Sequence, residues 1–209
     1  MKSSTPRVFI ADDDPSVRKG LERLMRSAGL TAETFSSAEE FLDRKPYRVG
    51  PSCLVLDVCM PGLSGIDLQK ELIRKGISLP IIFITGHGDI PMSVKAMKNG
   101  AVDFLPKPFA DKELLSAIDR AIEKCARIRK NESEKNRIQR RVDTLTPREH
   151  ECLRWVITGM LNKQIAPKLG VAEKTVKVHR GRVMHKMQAA SVADLVRLAQ
   201  KCGINPPKK

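Results

Sequence analysis

The sequence predicts an α/β fold, a doubly wound (βα)5 domain with a parallel five-stranded sheet, followed by an all-α domain of four helices. Short apolar runs alternate with amphipathic helical patterns over the first 123 residues. Two of those runs, SCLVLD and LPIIFIT, are continuously apolar, as strands buried on both faces of a crossover-connected sheet must be. The chain beyond residue 143 carries helix starts and stops and no strand pattern.

The elements follow in order. RVFIA is the first strand and PSVRKGLERLMRSAG the helix that returns the chain; AETF and SAEEFLDR repeat the pair. CLVLD with SGIDLQKELIRKG, PIIFIT with PMSVKAMKNG, and VDFLP with DKELLSAIDRAIEK complete five units, spanning 1–123. In such sheets ligands bind at the carboxyl ends of the strands. Residues 124–143, KCARIRKNESEKNRIQRRVD, are strongly polar, without Gly or Pro, and read as a linker helix continuing the fifth; a disordered tether has the same composition. Residues 144–209 hold the four-helix domain. Thr146 before Pro147 and Glu149 reads as an N-cap, Gly159 as a stop, Asn162 as the cap of a helix ending at Gly170, Ala172 or Glu173 as the start of one through Met187, and Ser191 as the cap of a last one through Lys201.

Composition narrows the class. No stretch approaches the roughly 20 apolar residues of a membrane span, and MKSSTPRVFIADDD lacks the long apolar segment of a secretory signal, so a cytoplasmic protein is expected. Five cysteines without a CxxC pair indicate reduced thiols rather than disulfides or zinc. The net charge of +14 is segregated: residues 1–119 hold 16 basic and 16 acidic side chains, 120–143 carry +5 and 144–209 carry +9. A neutral module joined to a basic one points to a polyanion, nucleic acid first among them, at the C-terminal end.

Asp12 and Asp13 follow the first strand, Asp57 ends the third, Thr85 ends the fourth and Lys107 follows the fifth. All five converge on one sheet edge. Three carboxylates there repel one another unless a hard divalent cation such as Mg2+ sits among them. The Thr85 hydroxyl and Lys107 ammonium suit the charge of a phosphoryl group arriving on Asp57.

The segments VFIADDDPSVRKGL, LVLDVCMPGLSGIDL and FITGHGDIPMSVKAMKNGAVDFLPKPF resemble the receiver domains of FixJ-like response regulators over about 120 residues. The resemblance implies Asp57 as phosphoacceptor, Asp12 and Asp13 as the acid pair of a Mg2+ site, and the backbone carbonyl of Cys59 as a further ligand. It also implies Thr85 and Phe104 as a switch pair, Lys107 as the charge clamp and a cis Lys107–Pro108 peptide, with Cys59 and His87 placed to tune phosphate loss.

Residues 145–198 resemble the LuxR/FixJ-type helix-turn-helix output domain. That implies a scanning helix near Asn162–Leu169 and a recognition helix near Glu173–Met187 in the major groove. At about 100° per residue, Val176, Val183 and Met187 share one side and Lys174, Lys177, Val178 and Gly181 the other. Lys177 suits guanine acceptors and Val178 a thymine methyl, while Lys174, Thr175 and Arg182 suit phosphates. His179 and His185 read as surface or phosphate-contacting residues and Trp155 as core. Two positions depart from the pattern. Pro167 inside the scanning helix predicts a kink or a later start, and Gly181 removes a side chain where the family carries a longer polar one.

The combined expectation is a phosphorylation-activated transcription factor, most similar to regulators of nitrogen fixation and aromatic catabolism. Its partners would be a sensor histidine kinase, promoter DNA, RNA polymerase and, when phosphorylated, a second copy of the chain. A haloacid-dehalogenase-like phosphatase is the enzymatic alternative; it needs an acid two residues past the nucleophile, where Cys59 follows Asp57 and Asp14 follows Asp12, but no later pair of acids follows Lys107 at a strand end. A protein-binding adaptor is the third reading.

Overall fold

The computed structural model of the chain describes residues 5–44, 50–86 and 90–207. It has two compact units, Met1–Arg129 and Lys130–Lys209. In the first, β1 (Arg7–Ala11), β2 (Thr31–Phe35), β3 (Ser52–Asp57), β4 (Ile81–Thr85) and β5 (Asp103–Pro106) form one sheet in the order β2-β1-β3-β4-β5. Every pairing is parallel. The crossovers are α1 (Pro15–Ser27), α2 (Ala38–Asp43), α3 (Gly65–Arg74) and α4 (Ile90–Lys98), and α5 (Asp111–Val142) follows β5.

The period of two along each strand divides the core. Phe9, Ala11, Leu54, Leu56, Ile81 and Phe83 pack with Phe41, Leu68, Leu72 and Ala96 of α2, α3 and α4. Val8, Ile10, Cys53, Val55, Ile82 and Ile84 pack with Leu21 and Met25 of α1 and with Leu114, Ala117, Ile118 and Ala121 of α5. Both faces of the central strands are therefore covered, which explains why β3 and β4 read as unbroken apolar runs. Because α1 and α3 leave neighbouring strands toward opposite faces, a crevice opens at the carboxyl ends of β1 and β3.

The helix α5 is continuous for 32 residues, so the polar stretch is helical through Val142. Its first part belongs to the N-terminal unit, where the Cys125 thiol accepts a hydrogen bond from Ser52 N at 3.4 Å. Ile138 and Val142 lie instead in the core of the C-terminal unit. There they meet α6 (Pro147–Val156), α7 (Asn162–Leu169), α8 (Glu173–Met187) and α9 (Val192–Lys201). Thr146 caps α6 in a reciprocal box: its hydroxyl accepts from Glu149 N at 3.3 Å and the Glu149 carboxylate accepts from Thr146 N at 2.9 Å. Lys186 donates to the same carboxylate at 2.6 Å, so this nearly buried acid is satisfied from two helices.

Two expectations need correction. Leu161, not Asn162, is the N-cap of α7, with its N–H donated to Gln164 Oε1 at 2.8 Å. The Asn162 side chain is drawn away to accept from Arg180 of α8 at 3.1 Å. The helix also starts at Asn162 and runs past Pro167 to Leu169, so of the two outcomes expected of Pro167, a kink or a later start, the later start does not occur. Burial of Ile165 and Ala166 outweighs the one backbone bond proline forfeits. Gly170, with φ 64°, ends α7 as expected, while α6 already ends at Val156, before Gly159.

Candidate phosphoacceptor site and nucleic-acid interface

The strand registers assemble the acidic cluster. Ala11 pairs with Leu56, Asp57 with Ile84 and Thr85 with Pro106, so Asp12, Asp57, Thr85 and Lys107 lie side by side at one sheet edge. Asp12 and Thr85 are fully buried and Asp57 is 5% exposed, whereas Asp13 is exposed. Lys107 Nζ stands 2.7 Å from Asp12 Oδ2 and 3.5 Å from Asp57 Oδ1. Asp12 is oriented further by Asp14 N, which donates to its Oδ1 at 2.9 Å, and by Arg18, which donates to its carbonyl at 2.6 Å. Asp14 itself caps α1, accepting from Ser16 N at 2.7 Å.

The cluster is short of positive charge. Asp57 Oδ1 is buried yet receives no hydrogen bond. Burial pushes the Asp57 carboxyl above its usual range, and the charges of Asp12 and Asp13 add to this against the opposing pull of Lys107. For Lys107, burial alone would lower the pKa, but the hydrogen bond it donates to Asp12 and the charges of Asp12 and Asp57 outweigh it and hold the ammonium above its usual range. One oxygen from each of Asp12, Asp13 and Asp57 lies within 4.8 Å of the others. An all-oxygen set containing a buried acceptor without a donor fits a hard divalent cation.

The loop after β3 completes the edge. Val58 N donates to Ile84 O at 3.1 Å and Gly65 N to Val58 O at 3.0 Å, leaving Cys59 exposed between Asp57 and the turn. A Cβ on Gly65 would stand 2.2 Å from the Asp57 carbonyl oxygen, so only glycine fits at the start of α3. Phe104, half-buried in β5, packs its ring 6.2 Å from that of Phe83. The Lys107–Pro108 peptide is cis. His87 lies outside the described residues. Arg18, Asp14 and Gly65 were not singled out from sequence; only the Asp14–Pro15 pair carries a local signal, a cap before an N-terminal proline.

In the C-terminal unit α8 has the two faces its spacing predicts. Val176, Val183 and Met187 are fully buried, while Lys174, Lys177, Val178, Gly181 and Arg182 are exposed and Thr175 is half-buried. His185 is exposed and His179 half-buried. Trp155 sits at the edge of the core, with Lys168 Nζ 5.6 Å from its ring centroid.

Residues 8–119 match the response regulator receiver domain, and residues 143–199 match the luxR family of bacterial regulatory proteins. The chain is 52% identical to Nodulation protein W of Bradyrhizobium diazoefficiens, over 95% of this chain and 87% of that protein. It is 41% identical to the transcriptional regulatory protein FixJ of Azorhizobium caulinodans, over 99% and 97% respectively. The solved structure of response regulator StyR matches with a TM-score of 0.81 at 49% identity, covering 94% of this chain and 99% of that one. A receiver joined to a LuxR-type DNA-binding domain is thus shown by sequence and structure alike, and the chain belongs to the FixJ/LuxR family of response regulators, which are phosphorylation-controlled regulators of transcription and not enzymes.

Proposed function

We propose that Asp57 is the phosphoacceptor through which a sensor histidine kinase controls DNA binding by α8. The observation that carries this reading is the buried, donor-less Oδ1 of Asp57 beside Asp12, Asp13 and Lys107. An Asp57 oxygen attacks phosphorus as the donor's bond to it breaks, leaving an acyl phosphate. Asp12, Asp13, Asp57 and the Cys59 carbonyl would hold Mg2+, which supplies charge neutralisation for the phosphoryl oxygens. Lys107, already paired with Asp12, turns to the incoming oxygens, and Thr85 with Phe104 adjusts as the switch pair. Two phosphorylated copies then dimerise and present two output domains to promoter DNA. On each, Lys177 and Val178 face bases, Lys174, Thr175 and Arg182 face phosphates, and contact with RNA polymerase follows at the promoter. Residues 1–123 and 144–209 are the receiver and DNA-binding domains, with 124–143 as the connecting helix. Among the described residues no helix is long and apolar enough to cross a membrane, and a cytoplasmic location suits a DNA-binding regulator.

A mobility-shift assay on promoter DNA, with and without a phosphoryl donor and Mg2+, tests the proposal. Phosphorylation should tighten binding by the wild type and leave Asp57→Asn unchanged. An equal gain in the variant would overturn the assignment of Asp57.

A further inference from the structure

Between Cys59 and Gly65 the chain must cross from the end of β3 to the start of α3 beside the acidic cluster. The ends of this crossing are fixed by the Val58 and Gly65 backbone bonds described above. Its far side is held by a residue from another element. Glu39, in the first turn of α2, accepts a hydrogen bond from Leu63 N through Oε1 at 2.9 Å, across 24 positions of sequence. Gly62, with φ +76°, lies directly under that carboxylate: a Cβ there would stand 2.8 Å from Glu39 Oε1. The loop therefore brings its backbone against this oxygen, and a side chain at position 62 would both be strained at that positive φ and push the Glu39 carboxylate aside. The backbone of Glu39 itself, then the Leu63 N–H and the Ser37 hydroxyl, hold the carboxyl below its usual range, consistent with an acceptor in steady use. Its neighbour Glu40 is occupied elsewhere, accepting from Ser36 N and Oγ at 2.6 and 2.7 Å, so it cannot substitute.

We infer that Glu39 is a positioning residue for the phosphorylation site, clamping the Leu63 amide so that the loop presents the Cys59 carbonyl toward the cation held by Asp12, Asp13 and Asp57. The inference rests on the reading of that cluster as a Mg2+ and phosphoryl site. What the clamp supplies is an acceptor for one N–H, not a charge. Outer residues that orient a ligand ordinarily alter metal affinity by about an order of magnitude or more, and an exposed clamp belongs at the low end.

Calorimetric titration of the full chain with Mg2+, without any phosphoryl donor, tests it. Glu39→Ala should weaken Mg2+ binding roughly threefold to tenfold, whereas Glu39→Gln, whose amide oxygen can still accept from Leu63 N–H, should stay within about twofold of wild type. Hydrogen exchange should rise in Glu39→Ala over the peptide containing Leu63 and return to wild-type levels in Glu39→Gln, with thermal stability similar in all three. Unchanged Mg2+ affinity in Glu39→Ala overturns the clamp, as does a Glu39→Gln that behaves like Glu39→Ala. Absence of Mg2+ binding by the wild type would instead overturn the reading of the acidic cluster. Should Glu39→Ala fail to fold, the exchange rate and Mg2+ affinity of Gly62→Ala, which crowds the carboxylate from the loop side, decide the same question: values equal to wild type overturn it.

Discussion

Ionised Asp57 weakens the metal-free receiver. Its folded pKa is raised, chiefly by burial and then by Asp12 and Asp13. An acid of that kind contributes stability below its unfolded pKa and loses it as pH rises through the folded value. Asp57→Asn keeps the shape and removes the charge, so in chelator at pH 7 the variant should melt above wild type, with the gap closing toward pH of about 4. A variant melting below wild type at neutral pH would show that the Lys107 attraction dominates. The same variant should gain no mass on incubation with a small acyl phosphate and Mg2+, because an amide cannot form the acyl phosphate. Cys59, exposed two residues beyond, is proposed to set how long the product lasts. A bulky side chain obstructs water approaching phosphorus opposite the Asp57 oxygen. Cys59→Arg should therefore slow phosphate loss while Cys59→Ala changes it less; identical decay of all three proteins removes Cys59 from that role.

At the level of single elements, α8 shows how much a helix owes to residues far away in sequence. Lys177→Ala should cost about 1 to 3 kcal/mol of operator binding if the side chain reads a base; an equal loss on random DNA would make it a phosphate contact. The C-terminal half of α8 is tied to α6 through Lys186 and Glu149, whose carboxyl is held below its usual range first by the Lys186 hydrogen bond and next by Thr146 N. A depressed acid contributes stability above its unfolded pKa and loses it as pH falls through the folded one. Between pH of about 5 and 3 the wild type should therefore lose stability more steeply than Glu149→Gln in thermal melts. The two helices also illustrate what is legible in sequence. Thr146, Gly170 and Ser191 were readable because a cap acts within four residues. The start of α7 was not, because Arg180 claims Asn162 from 18 positions away. The acidic cluster was readable because strand order alone brings Asp12, Asp57, Thr85 and Lys107 to one edge. Arg18, Gly65 and Glu39 were hidden, since their roles rest on backbone atoms of Asp12, Asp57 and Leu63 that no residue pattern encodes.

Across the whole chain the division of charge follows the division of structure. The unit from Lys130 to Lys209 carries 18 basic and 7 acidic residues, whereas the unit before it is close to balanced. That division predicts that affinity for DNA resides in the C-terminal unit and needs no phosphoryl group, with phosphorylation acting on an interaction already present. Where that unit begins determines whether it can be isolated. Ile138 is fully buried and Val142 nearly so in its core, and Arg141 donates at 3.1 Å to the carbonyl of Met187 at the end of α8. Lys201 of α9 reaches Glu134 at 2.7 Å. A fragment of residues 144–209 loses all of these, including two buried aliphatic side chains worth roughly 1.5 to 3 kcal/mol each, against a total stability of only about 5 to 15 kcal/mol for a domain. The fragment 130–209 keeps them. It should unfold cooperatively and bind DNA without any phosphoryl donor, with log K falling linearly in log salt by about 0.9 for each phosphate contacted. The shorter fragment should melt at a lower temperature and bind more weakly at the same salt. Equal melting temperatures would mean that the last turns of α5 add nothing to the output core, and a salt-independent affinity of 130–209 would mean that its excess of lysine and arginine is not what holds the DNA.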